Sequence, residues 1–137
     1  MFADAHLHMT DSRFGNGYAD ISDSKILFSC TSNAGEWDLL KNLCKSDHRI
    51  TPFYGIHPWF VNSGIDIHEL ETILKTDCEA NIGEIGLDFG KPLLEKQTIY
   101  FAKQLELAEK YDRIVSIHMV KCESEMLHIL RKYSVKG

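Results

Sequence analysis

Nothing in this sequence marks a seam. No block of glycine, serine or proline separates one half from the other, so residues 1–137 read as a single domain. Also absent is a basic start followed by an apolar run and a small-residue cleavage site, and no apolar stretch approaches membrane-spanning length. A soluble, non-exported protein of the cytoplasm, with no membrane partner, is the expectation. The four cysteines, Cys30, Cys44, Cys78 and Cys122, include no Cys-x-x-Cys pair and sit in apolar or helical segments, so reduced core thiols are expected. Positive charge is scarce as well: 15 Lys and Arg stand against 20 Asp and Glu, for a net charge of -5. That balance excludes a protein that coats nucleic acid through bulk electrostatics, which needs many cations to displace counterions. It leaves room for a local site, because bound metal ions can themselves supply a positive field. There is no solenoid repeat and no low-complexity tract.

What is present is an alternation of short apolar runs with amphipathic stretches. "MFADAHLH" reads as a first strand, followed by the Gly-, Asn- and Asp-rich loop "MTDSRFGNGYAD". "KILFSC" is a second strand, and in "NAGEWDLLKNLCK" Trp37, Leu40 and Cys44 recur at helical intervals. "RITPFYGI" supplies a third strand and "DIHELETILK" a helix with Leu70, Ile73 and Leu74 on one side. "ANIGEIGLD" is a fourth strand whose glycines imply the close approach of another backbone or a ligand. From Leu94 to Tyr111 a stripe of Leu94, Thr98, Phe101, Leu105 and Ala108 predicts a long helix, with Glu106 four residues before Lys110 on the polar side. "RIVSIH" is a fifth strand, with its histidine last, and "ESEMLHILRKY" a closing helix carrying Met126, Leu130 and Tyr133. Five such alternations predict an α/β fold with a parallel sheet. "SVKG" ends where a sixth strand is due, and an eight-fold barrel needs roughly 200 residues or more.

The polar residues collect at strand ends. Asp4, His6 and His8 alternate, and side chains two apart on a strand share a face, roughly 6.5 Å apart at the backbone. Polar groups turned inward in that way need a partner, and a metal ion is the leading candidate. In the fourth strand Ile82, Glu84, Gly86 and Asp88 share a face; in the fifth, Ile114, Ser116 and His118 do. Singly, each has a structural explanation: Glu84 paired to an arginine, His118 bonded to a loop carbonyl. Jointly, two histidines, a glutamate and a further histidine at the C-terminal ends of barrel strands suit one or two ions such as Zn²⁺ or Mn²⁺, with metal-assisted hydrolysis as the reaction class.

"DAHLH", "GIHP", "GEIGLDF", "QTIYFAKQLELAEK" and "IVSIH", in this order and at these separations, closely resemble the TatD family of metal-dependent hydrolases, the TatD-related DNases. The resemblance implies a TIM-barrel-like (β/α) fold, here an incomplete barrel of about five parallel strands with flanking helices, the N-terminal part of the whole. It implies hydrolysis of DNA phosphodiesters with two divalent ions (Zn, Mg or Mn). By motif, His6 and His8 would bind one ion, Glu84 would bridge the two and act catalytically, and His118 would bind the second. His57 resembles a position that could touch substrate phosphate, Asp88 could orient a metal water or cap a loop, and Asp4 could accept a hydrogen bond from an imidazole behind the metal. The family pattern adds a later histidine and an aspartate that this chain does not contain, so its metal site is expected to be incomplete. Trp59 and Phe60 offer an apolar wall for a base; His48, His68 and His128 have no convergent partner. A second reading is a non-catalytic half-barrel that serves as a binding or assembly module. On either reading the outer strands expose unpaired backbone, and self-association through the sheet edges is expected.

Overall fold

A computed structural model describes residues 2–13 and 24–137. Five strands, β1 (Phe2–Leu7), β2 (Ser24–Cys30), β3 (Ile50–Tyr54), β4 (Asn81–Asp88) and β5 (Val115–Val120), form one sheet in the order β1-β2-β3-β4-β5, every pairing parallel. Parallel neighbours in chain order have no topological switch point. Right-handed crossovers then put every helix on the same side, so the sheet curls toward a barrel with its other face inside. This is a TIM-barrel-like half-barrel with flanking helices, the incomplete barrel that the resemblance implies. Most of the expected loop "MTDSRFGNGYAD", from residue 14 onward, lies outside the described residues.

Helices α1 (Trp37–Ser46), α2 (Ile67–Thr76), α3 (Leu94–Tyr111) and α4 (Glu123–Leu130) follow the four later strands. Asp66 starts α2 by accepting a hydrogen bond from the His68 N–H at 3.0 Å, which satisfies one of the free donors of the first turn. Leu40 of α1, Leu70 and Leu74 of α2, and Phe101 and Leu105 of α3 are buried against Leu27, Ile82, Ile85 and Leu87 of the sheet. Each such side chain contributes about 1.5–3 kcal/mol by leaving water.

Several expectations shift. The buried face of α3 is Gln97, Phe101, Gln104, Leu105 and Ala108, while Leu94 and Thr98 of the expected stripe are exposed. Two fully buried glutamines take those places because strand ends need hydrogen-bond partners there. Gln104 accepts from the Ile56 N–H (2.8 Å) and donates to the Ile56 carbonyl (3.2 Å); Gln97 does the same for Asp88, at 2.8 and 3.2 Å. The fifth strand runs on to Val120, so His118 lies within it rather than at its end. Helix α4 stops at Leu130, before Tyr133. All four cysteines are free, but only Cys30 and Cys122 are buried; Cys78, in the turn after α2, is exposed. The crowding around the β4 glycines comes from protein backbone and a serine. A Cβ at Gly83 would meet Ser116, and one at Gly86, where φ is +146°, would meet the His118 carbonyl. Past α4, the Val115 N–H donates to the Lys136 carbonyl at 2.7 Å and Ile114 bridges Lys136 in parallel, so the last residues begin to pair with β5.

Candidate metal centre

The inner face of the half-barrel gathers His8, His57, Glu84 and His118 into the lining of one pocket of about 320 Å³, with His6 beside it against His8 and Glu84. His8 lies just past β1, and its Nδ1–H donates to the Cys30 carbonyl at the end of β2, 3.0 Å away. That bond fixes the tautomer: the proton is on Nδ1, so Nε2 presents a lone pair. His6 has Ser116 Oγ and Cys30 Sγ at 3.2 and 3.5 Å from its Nδ1, and turns its Nε2 toward the same point. The two Nε2 atoms are 3.1 Å apart, and Glu84 Oε2 lies 3.5 Å from His6 Nε2 and 3.2 Å from His8 Nε2. Two imidazole nitrogens at that separation fit ligands of one ion, each about 2.1 Å from it. Two lone pairs would repel there unless a cation or proton lay between them. Two imidazoles and a carboxylate are a donor set for a borderline divalent ion.

The other oxygen of Glu84 faces a second group. Its Oε1 is 3.2 Å from His118 Nδ1, which is 3.1 Å from His57 Nε2. Here the hydrogen bonds assign different roles. His57 Nδ1 accepts the Trp59 N–H at 3.1 Å, so a neutral His57 carries its proton on Nε2 and is a donor there. His118 Nε2 can donate to Asp88 Oδ2 at 3.3 Å, which leaves the lone pair of Nδ1 facing Glu84 and His57. Glu84 and His118 thus offer lone pairs, and His57 offers a proton. Among the described residues, ligand-type side chains converge in two groups, His6, His8 and Glu84, and His57, Glu84 and His118.

The electrostatics follow from this crowding. The Cys30 sulfur and the Glu84 carboxylate hold a proton on His6 and raise its pKa to about 10 against the pull of burial. Burial disfavours the Glu84 carboxylate, yet the His6 and His8 imidazoles outweigh it and hold its pKa far below the ordinary carboxylate range. His57, only 6 % exposed, is pushed down to about 4 by burial and stays neutral at pH 7. Asp88 is kept ionised, despite its burial, by the Trp59 indole N–H (2.7 Å), the Gly90 N–H (2.8 Å) and His118.

Asp4 does not reach an imidazole; its Oδ1 accepts the His6 backbone N–H at 3.2 Å. Its half-exposed carboxylate folds back onto its own strand. Four contributors escape sequence reading. Cys30 and Ser116 back His6 from strands more than twenty and a hundred residues away; strand alternation puts Ser116 on the His118 face, but no local pattern pairs either residue with His6. Gln97 and Gln104 are detectable in hindsight, seven residues apart on the helix face that carries Phe101, Leu105 and Ala108. A larger cavity of about 520 Å³, between the start of α3 and α4, contains His128, Glu95 and Glu125, but these do not converge, so the chemistry belongs to the smaller pocket.

A family model described as "TatD related DNase" matches residues 3–137. Among solved structures, the crystal structure of YJJV, a TatD homologue from Escherichia coli K12, superposes with a TM-score of 0.87 at 22 % identity, covering 96 % of this chain and 55 % of that one. At that identity the likeness establishes the fold, and the chain spans just over half of the length of the YJJV chain. Comparison with curated protein sequences gave no match.

Proposed function

The chain belongs to the TatD related DNase family, and on that premise we propose that it forms a single domain, the N-terminal part of a cytoplasmic, divalent-metal-dependent hydrolase of phosphodiester bonds in DNA. One observation carries the reading: the two oxygens of Glu84 face two different histidine groups, Oε2 toward His6 and His8 and Oε1 toward His118. A carboxylate so placed suits a bridge between two ions. His6 and His8 would hold one of them and His118 the other. When bound, such ions lower the pKa of a coordinated water and offset negative charge developing on phosphorus.

The protein's own groups supply the rest. The Cys30 carbonyl keeps the His8 proton away from the pocket, and Asp88 does the same for His118. His57, neutral and with its proton on Nε2, is suited to donate a hydrogen bond to a phosphate oxygen without competing for an ion. Asp88 also orients the wall of the pocket through Trp59.

Calorimetric titration with Zn²⁺ or Mn²⁺ tests the assignment. The chain should bind metal, His6→Ala and Glu84→Gln should each weaken binding by at least the about 10–100-fold that loss of a ligand's own hydrogen-bond partner costs, and equal binding by all three would remove the metal site. Metal-dependent nucleotide release from single-stranded DNA should fall with Glu84→Gln. If metal binds but no release occurs in the parent chain, the non-catalytic half-barrel is the better description.

A further inference from the structure

The three histidines that aim a lone pair into the pocket do not hold their far nitrogens alike. His8 faces the Cys30 carbonyl and His118 the Asp88 carboxylate, both strong acceptors. His6 has neither a carbonyl nor a carboxylate behind it. At its Nδ1 lie the Ser116 hydroxyl oxygen, 3.2 Å away, and the Cys30 sulfur, 3.5 Å away. Packing does little to set this ring, because the His6 side chain is 39 % exposed against 16 % for His118.

Ser116 reaches that nitrogen from the far side of the sheet. His6 is on β1 and Ser116 on β5, the two margins, which share no strand pairing. Gly83 of β4 leaves the space that the serine occupies: a Cβ there would come within 2.6 Å of the Ser116 Cβ, so a larger residue would displace it. Among the described residues the Ser116 hydroxyl makes no other hydrogen bond. It therefore caps no helix and ties no turn; its one bond is to the imidazole. Ser116 also lies two residues before His118 on the same face of β5, so one strand serves both histidine groups.

We propose that Ser116 is a positioning residue of the metal centre: its hydroxyl oxygen accepts the His6 Nδ1–H, which leaves Nε2 as a lone pair for the ion shared with His8. The inference rests on the metal-site reading and extends it to how the open margin β1 is aligned with the rest of the site. An imidazole that binds an ion through Nε2 carries its remaining proton on Nδ1, and an acceptor there fixes the tautomer and the ring orientation and makes Nε2 more basic. A hydroxyl is suited to this role because it can rotate its own hydrogen away and accept. Donation in the other sense, from Ser116 to Nδ1, would put the imidazole proton on Nε2 and close that nitrogen to an ion.

Calorimetric Zn²⁺ titration of four chains tests the proposal: the parent, Ser116→Ala, His6→Ala and the double variant. Ser116→Ala should weaken Zn²⁺ binding about 10–100-fold while leaving the urea unfolding midpoint nearly unchanged. In the His6→Ala background the same change should alter binding by no more than about twofold, because the serine then has no imidazole to orient. Heteronuclear NMR of the Zn²⁺-loaded parent should show the His6 proton on Nδ1, and that proton should exchange faster with water in Ser116→Ala. Zn²⁺ uptake by the parent with equal uptake by Ser116→Ala, or a loss that persists undiminished without His6, would overturn the positioning role and leave the metal site standing. A parent chain that takes up no Zn²⁺ would overturn the metal-site reading and this role with it.

Discussion

A histidine is committed to its role by what its other nitrogen does. His8 and His57 look alike as residues near strand ends, yet one gives its Nδ1 proton to the Cys30 carbonyl and the other receives the Trp59 N–H on Nδ1. The first therefore aims a lone pair into the pocket and the second a proton. Residue spacing can propose the cluster but not this division, because the deciding partner of His8 is a backbone group of another strand and that of His57 a turn N–H whose direction depends on the local backbone. His6 adds a proton to the account: its pKa, raised to about 10 by Cys30 and Glu84, leaves it protonated at pH 7 without metal. Metal binding must then expel about one proton, and the apparent affinity should rise about tenfold per pH unit while His6 remains protonated in the free chain. Titrations in buffers of different ionisation enthalpy should give observed enthalpies that differ accordingly. Identical enthalpies would mean that the free site carries no such proton. In the metal-free chain the sign runs the other way: the stability His6 gains from its partners is full below the ordinary histidine value of 6.5 and is lost as pH rises through about 10.

At the scale of elements, the strand and helix alternation is readable because apolar periodicity reports burial directly, and every element expected among the described residues is present. The exact buried face is less readable where polar residues do the packing. On α3, Leu94 and Thr98 extend the apolar stripe in sequence, but the helix begins there beyond the sheet, and Gln97 and Gln104 turn inward to satisfy the strand ends. A rule that sends glutamine outward misses them. Their role yields a prediction. Gln104→Leu keeps the volume but strands the buried Ile56 N–H and carbonyl, at a cost of about 2–4 kcal/mol. Because Ile56 precedes His57, the same change should loosen the His57 to His118 contact. Urea unfolding should show a lower midpoint for Gln104→Leu. Replacing the exposed Gln-free position Thr98 by Leu should leave the midpoint nearly unchanged, and an equal response of both variants would mean that the Gln104 bonds contribute nothing.

For the whole molecule, the parallel sheet is open, with β1 at one margin and β5 at the other. The cluster of His6, Glu84 and His118 spans from one margin to the other, which is why the His6 side chain is 39 % exposed while that of Glu84, on the inner strand β4, is only 15 % exposed. Sequence motifs disclose this convergence because a barrel strand's C-terminal end is a fixed address. They do not disclose how far each margin is covered. The first residues of β5 are met by Lys136, yet Phe2 on β1 is 74 % exposed, and Ile114 and Met119 are 43 % and 49 % exposed. A strand margin with unpaired N–H and C=O groups and apolar side chains beside it is a template for another strand. The chain is therefore expected to self-associate as its concentration rises, and sedimentation velocity should show the weight-average coefficient climbing with loading. Charge placed at the margins acts against strand addition, so Phe2→Lys combined with Met119→Lys should shift the chain back toward monomer without unfolding it, since both sites already face water. Since neither residue belongs to the metal pocket, Zn²⁺ uptake should survive in that variant. A parent chain that sediments as a monomer at every concentration would show that these margins are protected in solution, and that the half-barrel is stable with its edges bare.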